Sequence, residues 1–418
     1  MVTVPTIAPR SLYQSGWNLD GMMTGIVNEF QLTAPTPIDT NDGSSITYDF
    51  LEKVYTVRVD TNDPGMQAAL TTDGEVWGRG RNMGRVLNTQ LGGWTVGPWT
   101  KINVPSGEVI IGMAMSERSG LFWTANNRLF GLGFNVYGQL GLGSNSEESN
   151  TEDYEYGYND WENTNFIASA PALTEVLVTE FLQETEKIVG ASIEKYHALL
   201  WTDAGRMYAT GRNYGGSRCD IRLEEYVAKF DLCTKVPEGD YIVQAIAGHL
   251  QTVYVTSDHR VKFSGWNKNN KFCNGQNVNS LRTSSDHNYE IIPVLPDKSI
   301  SKVSMSWSHV IYLETGGDAY ECGQLGVTYE EEFASRSVDK SEMGKDSEIV
   351  DVFAGLYRSY YRTKNNFFGM GGNIVGQLDV YSPREIKIPN RKIVEAISAN
   401  GFTIFSTEKA SITSGRRL

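Results

Sequence analysis

The side chains best suited to chemistry in this chain gather between residues 143 and 170. From Leu129 to Glu186 there is no Lys, Arg or His, and eleven acids fall in the same stretch. Glu147, Glu148 and Asp153 lead into Tyr154, Tyr156, Tyr158 and Trp161, four rings within eight residues. Carboxylates steer a basic protein toward a surface, and aromatic rings concentrate at the desolvated centres of interfaces. The combination marks a partner-binding loop; the plainer reading is an acidic loop that packs on itself or stays disordered. Trp94 and Trp99 join the candidate set from the stretch 84–99, and the Asn-rich, mildly basic stretch 266–289 offers the opposite charge. Together these stretches suit a partner carrying both signs, or another copy of the chain. Calcium is a further use for so many carboxylates, but no EF-hand spacing is present, and neither metal nor cofactor is expected.

Enzyme chemistry is not expected. GRGRNMG (78–84) and GLGFNVYG (131–138) look like phosphate loops. Neither opens a helix, and both recur as punctuation of a repeat, which removes the dinucleotide reading. P-loop, HExxH and GxSxG motifs and metal-spaced Cys/His clusters are absent from the sequence. His197, His249 and His309 sit beside similar apolar runs and are expected to share one packing position. The four cysteines, Cys219, Cys233, Cys273 and Cys322, form no CxxC pair and read as reduced thiols.

A net charge of −13 disfavours nucleic acid and anionic membranes, both of which are held through clustered Lys and Arg. No run reaches the roughly 18 apolar residues of a membrane helix, and the N-terminus lacks a signal-peptide pattern. The expected location is the cytoplasm or a virus particle. No linker divides the 418 residues, so one domain over 1–418 is expected, with the acidic insertion at about 143–170.

What must position these loops is a repeat. A β-type run ending in Gly, usually followed by x-Asn, recurs with Gly at 16, 80, 133, 211, 265, 323, 371 and 415, spaced by 44 to 78 residues. A period near fifty belongs to a propeller or solenoid. Upstream of most anchors stand two apolar runs, A and B, for example KIVGASI (187–193) and HALLWT (197–202), then a tight polar turn such as Ala204-Gly205. The Gly-anchored run is strand C. A fourth strand D is read in WTKINVP (99–105), ALTEVLV (172–178) and CTKVPEG (233–239), while the repeat anchored at Gly323 shows no clear one. There are seven A, seven B and eight C strands. A C-like and a D-like strand at the N-terminus (12–16 and 34–38) can complete the last blade and remove its exposed edges. The expected fold is an all-β, seven-bladed propeller of four-stranded blades, closed by N- and C-terminal strands in one blade. Gly16, Gly80, Gly133, Gly211, Gly265, Gly323, Gly371 and Gly415 are read as scaffold. A side chain there would crowd the next blade or demand a forbidden φ, and the following Asn tolerates a left-handed backbone.

The order of strand B, polar turn, Gly-x-Asn strand and GQLG resembles the regulator of chromosome condensation (RCC-type) repeat family. NRLFGLGFNVYGQLGLG (127–143) is nearly the family's own phrasing, and NIVGQL (373–378) and LDGMMTG (19–25) are partial echoes. The resemblance runs from about residue 11 to 415 and implies a seven-bladed propeller without implying any single activity. The light-sensing branch of that family is built on clustered Trp and Arg. Here Trp123 and Trp201 share one strand-B position, which reads as packing and not as a chromophore cluster.

In an up-and-down blade the C-to-D and A-to-B connections emerge on one face. All the long connections therefore share that face, where binding residues collect on a rigid scaffold. Three functions follow. The favoured one is a non-enzymatic interaction or structural propeller in a larger assembly, such as a virus or bacteriophage particle. The alternative is a guanine-nucleotide exchange factor-like regulator of a small GTPase, with 143–169 as its wedge. A secreted-type inhibitor or adhesin is weakened by the missing signal pattern.

Overall fold

A computed structural model describes residues 10–17, 31–37, 53–59, 66–81, 96–116, 119–135, 137–143, 169–213, 216–219, 226–267, 270–273, 292–324, 333–371, 382–399 and 402–409. Seven antiparallel four-stranded sheets account for its strands. Blade 1 runs A to D as Val54–Val59, Met66–Thr71, Val76–Arg81 and Val96–Ile102. Blade 2 is Ile110–Ser116, Ser119–Thr124, Leu129–Phe134 and Ser169–Val176, and blade 3 is Ile188–Ile193, His197–Thr202, Met207–Arg212 and Tyr226–Leu232. Blade 4 is Ile242–Gly248, Gln251–Thr256, Val261–Gly265 and Ile292–Val294, and blade 5 is Ile300–Met305, His309–Glu314, Ala319–Gln324 and Phe333–Ser337. Blade 6 is Ile349–Gly355, Arg358–Thr363, Phe367–Gly371 and Arg384–Glu385. Blade 7 takes Arg391–Ala399 and Phe402–Lys409 from the C-terminal region and Ser11–Trp17 and Gln31–Pro37 from the N-terminal region.

Strand A of each blade meets strand A of the next, from blade 1 round to blade 7 and back to blade 1, so the ring is closed. The closing blade pairs Ser11 with Thr407 and Gly16 with Phe402. Ser11–Trp17 holds the C position there, with strand B on one side and strand D on the other. The eighth C-like run, ending at Gly415, is therefore not that blade's third strand, and it lies outside the described residues. Two fourth-strand assignments also change. Blade 3 uses Tyr226–Leu232, and the Cys233 that follows turns under the blade 3–4 core. Blade 5 has a fourth strand after all, Phe333–Ser337.

A propeller has no single core. Apolar residues of neighbouring blades interleave as layers, such as Leu121, Leu129 and Val176 with Ile188, Ala198 and Leu200 between blades 2 and 3. Six A strands open on a buried Val or Ile and the seventh reaches one at its third residue, and a register shift follows at once in all seven: Val54, Ile110, Ile188, Ile242, Ile300, Ile349 and Ile393. The bulge inserts one extra residue and turns the rest of the strand over. Gly112 and Gly190 lie just past it, and a Cβ on either would fall 2.0 or 2.1 Å from the indole of Trp123 or Trp201. Those two indoles therefore fill the space that absent side chains leave.

Strand C closes on Gly at φ +97 (Gly133), +96 (Gly211), +104 (Gly265), +121 (Gly323) and +119 (Gly371). An added Cβ at Gly211 would stand 2.4 Å from the Tyr196 carbonyl oxygen and 2.7 Å from His197 Cα. The obstruction is thus the lead-in to the same blade's strand B, not the neighbouring blade.

The four cysteines divide. Cys219 and Cys233 are buried free thiols, whereas Cys273 and Cys322 form a disulfide with Cα atoms 5.4 Å apart, which corrects the reading of all four as reduced. Spacing in sequence concealed the pair because it joins two blades. Cys322 precedes the strand-C glycine of blade 5, and Cys273 lies in the connection after strand C of blade 4. In the preceding blades the same junction is a hydrogen bond: Thr210 Oγ1 donates to the Gly138 carbonyl (2.9 Å) and Ser264 Oγ to the Gly216 carbonyl (2.7 Å).

Candidate functional site

The register of each blade puts the start of strand B beside the end of strand C and the start of strand D, as in Ser119 opposite Gly133 and Ser169 opposite Phe134. The A-to-B corners and C-to-D connections therefore share one face. Glu147, Glu148, Asp153, Tyr154, Tyr156, Tyr158, Trp161 and Trp94 lie outside the described residues. The acidic insertion leaves the described structure at Gly143 and returns at Ser169, on this face. Trp99 is described and is only 4% exposed, with the Arg79 guanidinium 4.8 Å from its ring centre. It is interior packing.

The described part of this face is built on the Gly-x-Asn anchor. Asn135, Asn213 and Asn267 each accept, through Oδ1, the backbone N–H five residues on: Leu140 (2.8 Å), Arg218 (3.0 Å) and Phe272 (3.1 Å). The Asn residues themselves are not left-handed. That conformation falls three and six residues later, at Gly138 and Gly141, Gly216 and Cys219, and Asn270 and Cys273. The loop then reaches the next blade: Gln139 Nε2 donates to the Lys195 carbonyl (3.2 Å), and Lys271 Nζ to the Ser306 carbonyl (3.3 Å). The hydroxyl or thiol before the strand-C glycine of blades 3, 4 and 5 belongs to the same inter-blade junction. Its sequence signal was the small polar residue in YATG, FSG and YECG.

His197 and His309 occupy one position, the first of strand B opposite the strand-C glycine. Gln251, not His249, fills it in blade 4, and His249 lies two residues earlier in the corner. His197 Nε2 meets Thr252 Oγ1 (3.0 Å) and His309 Nε2 meets Ser359 Oγ (2.9 Å), each on the next blade. Ser308 Oγ also lies 2.9 Å from His309 Nδ1. This Ser/His cluster is fully interior, so it bridges blades and does not face a substrate. His249 packs on Tyr196, which packs on Tyr137, while Arg212 lies 5.7 Å and 5.8 Å from the two tyrosine rings. A cation beside two ring faces adds attraction to the packing of this corner.

Burial drives both interior histidines toward the neutral form, His197 to about 3 and His309 to about 4. The unfolded chain takes up a proton at each near pH 6.5. Their contribution is therefore complete above pH 6.5 and declines as pH falls toward 4, by about 3 kcal/mol per histidine. Replacing His309 with Gln, the residue blade 4 uses, should flatten that slope. Urea midpoints between pH 4 and 7 test it, and an unchanged slope in His309→Gln would refute the assignment.

Among the described residues no group of His, Cys, Asp or Glu is placed to hold a metal ion, and no helix is long and apolar enough to cross a membrane.

No family model matches the chain. The Ultraviolet-B receptor UVR8 of Arabidopsis thaliana is 26% identical over 237 residues, 54% of this chain. That match spans only half of the receptor's length. Among solved structures, human WBSCR16 overlays with a TM-score of 0.74 at 13% identity, over 96% of this chain and 99% of that one. Prp20p of Saccharomyces cerevisiae overlays with a TM-score of 0.70 at 14% identity, over 97% of this chain and 93% of that one. Prp20p was studied for its binding to Gsp1p and histones, and a further structure has yeast RCC1 (Prp20) bound to Kap60.

Proposed function

We propose that this chain, an RCC1-type seven-bladed propeller, is one protein-binding domain over residues 1–418 and not an enzyme. Its long C-to-D connections engage a protein partner within a larger assembly, with a virus or bacteriophage particle as the setting. The observation that carries the reading is the sorting of connections. Elaborate segments share one face, on a scaffold whose interior histidines are occupied in holding blades together. The binding of Gsp1p, histones and Kap60 by Prp20 supports a protein as the class of partner. The acid-rich insertion supports a basic one and argues against nucleic acid.

The test is a crosslinking pull-down with the intact chain and with one lacking residues 145–165. A protein retained by the first and lost by the second is expected; identical retention would sink the assignment to the loops. Recovery of the chain in purified particles tests the setting. The second reading, an exchange factor-like regulator of a small GTPase, is favoured by the repeat resemblance. It predicts faster GDP release from the captured GTPase when the chain is added.

A further inference from the structure

The opposite face, where the tight B-to-C turns lie, carries a feature that the repeat grammar did not announce. The residue just after the buried Val or Ile of each strand A is set apart by the bulge: Tyr55, Ile111, Val189, Val243, Val350 and Val394, with Ser301 as the exception. Val189, Val243 and Val350 are 51%, 44% and 41% exposed. The other large hydrophobics that stand exposed among the described residues, Leu177, Leu232 and Tyr241, lie at strand-D ends or strand-A starts, on this same face. Buried Val and Ile are ordinary at strand starts. Exposed ones repeated from blade to blade on one face mark an interaction surface.

The central channel opens on this face as a cavity of about 710 Å³, lined by strand A of six blades, with Tyr55, Ile111, Val189 and Val394 of this collar in its wall. Its charge is lopsided. Arg10, Arg58, Lys302, Arg362 and Lys392 face Asp351, Glu395 and Glu408. Two carboxylates each serve two cations: Glu395 takes Arg10 (3.1 Å) and Arg58 (3.0 Å), and Asp351 takes Lys302 and Arg362 (3.0 Å). Each trio is left with one positive charge.

We propose that this end of the channel is a docking site for an extended acidic peptide segment of a protein partner. An aliphatic or aromatic side chain would seat in the collar, and carboxylates would face the two cationic trios. An apolar pocket plus a net charge of one sign is how short peptides are anchored and oriented. A nucleic acid has the charge but nothing for the valines. The site is independent of the loop-rich face.

The test uses the full chain and fluorescent peptides of about twelve residues: an acidic peptide with one central Leu, its Leu→Ser version and its Lys-for-Glu version. Saturable, salt-sensitive binding of the first alone is expected, weakened about tenfold or more by Val189→Glu and Val394→Glu, both in the cavity wall. Val189 is half exposed and Val394 is only partly buried, so the variants should fold. Deletion of residues 145–165 should leave this binding unchanged while abolishing capture by the loops. The proposal is overturned by any of three results. One is equal binding of the Leu→Ser peptide, which would mean an anion site only. Another is indifference to both Val variants. The third is a concentration-dependent dimer that they abolish, which would make a second copy the occupant.

Discussion

Gly211→Ala is expected to cost at least about 4 kcal/mol, enough to deplete the folded protein, although it adds one methyl group. The position lies at φ +96, and the new Cβ would meet the Tyr196 carbonyl oxygen at 2.4 Å and His197 Cα at 2.7 Å. Both obstacles are backbone and cannot rotate away. Left-handed strain accounts for about 1–3 kcal/mol, and displacement of the corner accounts for the rest. Gly107→Ala is the control. It has φ +83, yet no atom lies within 4 Å of its Cβ, so it should lose only the conformational part, about 1 kcal/mol. Urea midpoints of the two variants separate strain from collision. Equal losses would show that the close approach in strand C carries no weight.

The second large effect is chemical. Cys322→Ala is expected to lower stability by about 4 kcal/mol under oxidising conditions, because the Cys273–Cys322 link closes a loop over a separation of 49 residues. Cys322→Ser should recover about 1 kcal/mol, since Ser264 at the equivalent place in blade 4 donates to the preceding loop's carbonyl. A thiol reductant should bring the unaltered protein down to the level of the double Cys→Ser variant. Denaturant midpoints with and without reductant measure this, with mass spectrometry reporting the bond. An unchanged midpoint on confirmed reduction would show that the link adds nothing.

Most of the ring could be read without coordinates. The Gly-anchored period announced the repeat, the seven A and seven B runs set the number of blades, and the two N-terminal strands announced where the ring closes. These features repeat locally, and local repetition is what a one-dimensional reading sees. Equivalence between blades was harder. His249 looked like a partner of His197 and His309, but strand register gives the position to Gln251, because the corner of blade 4 holds His249 two residues before strand B. CTKVPEG resembled a fourth strand because Cys233 and Val236 are apolar; they pack beneath the blade 3–4 layer instead.

The order of residues by itself determined the all-β period, the closure of the wheel and the sorting of long and short connections, since each follows from chain direction and from what Gly, Asn and β-branched residues allow. Tertiary structure alone decided the disulfide, the interior place of Trp99 and the apolar collar. Each depends on which residues of different blades come together at a junction or around the axis. That meeting is fixed by the angle between packed sheets and by one bulge per strand A, which turns the strand over without leaving a mark in its apolar pattern.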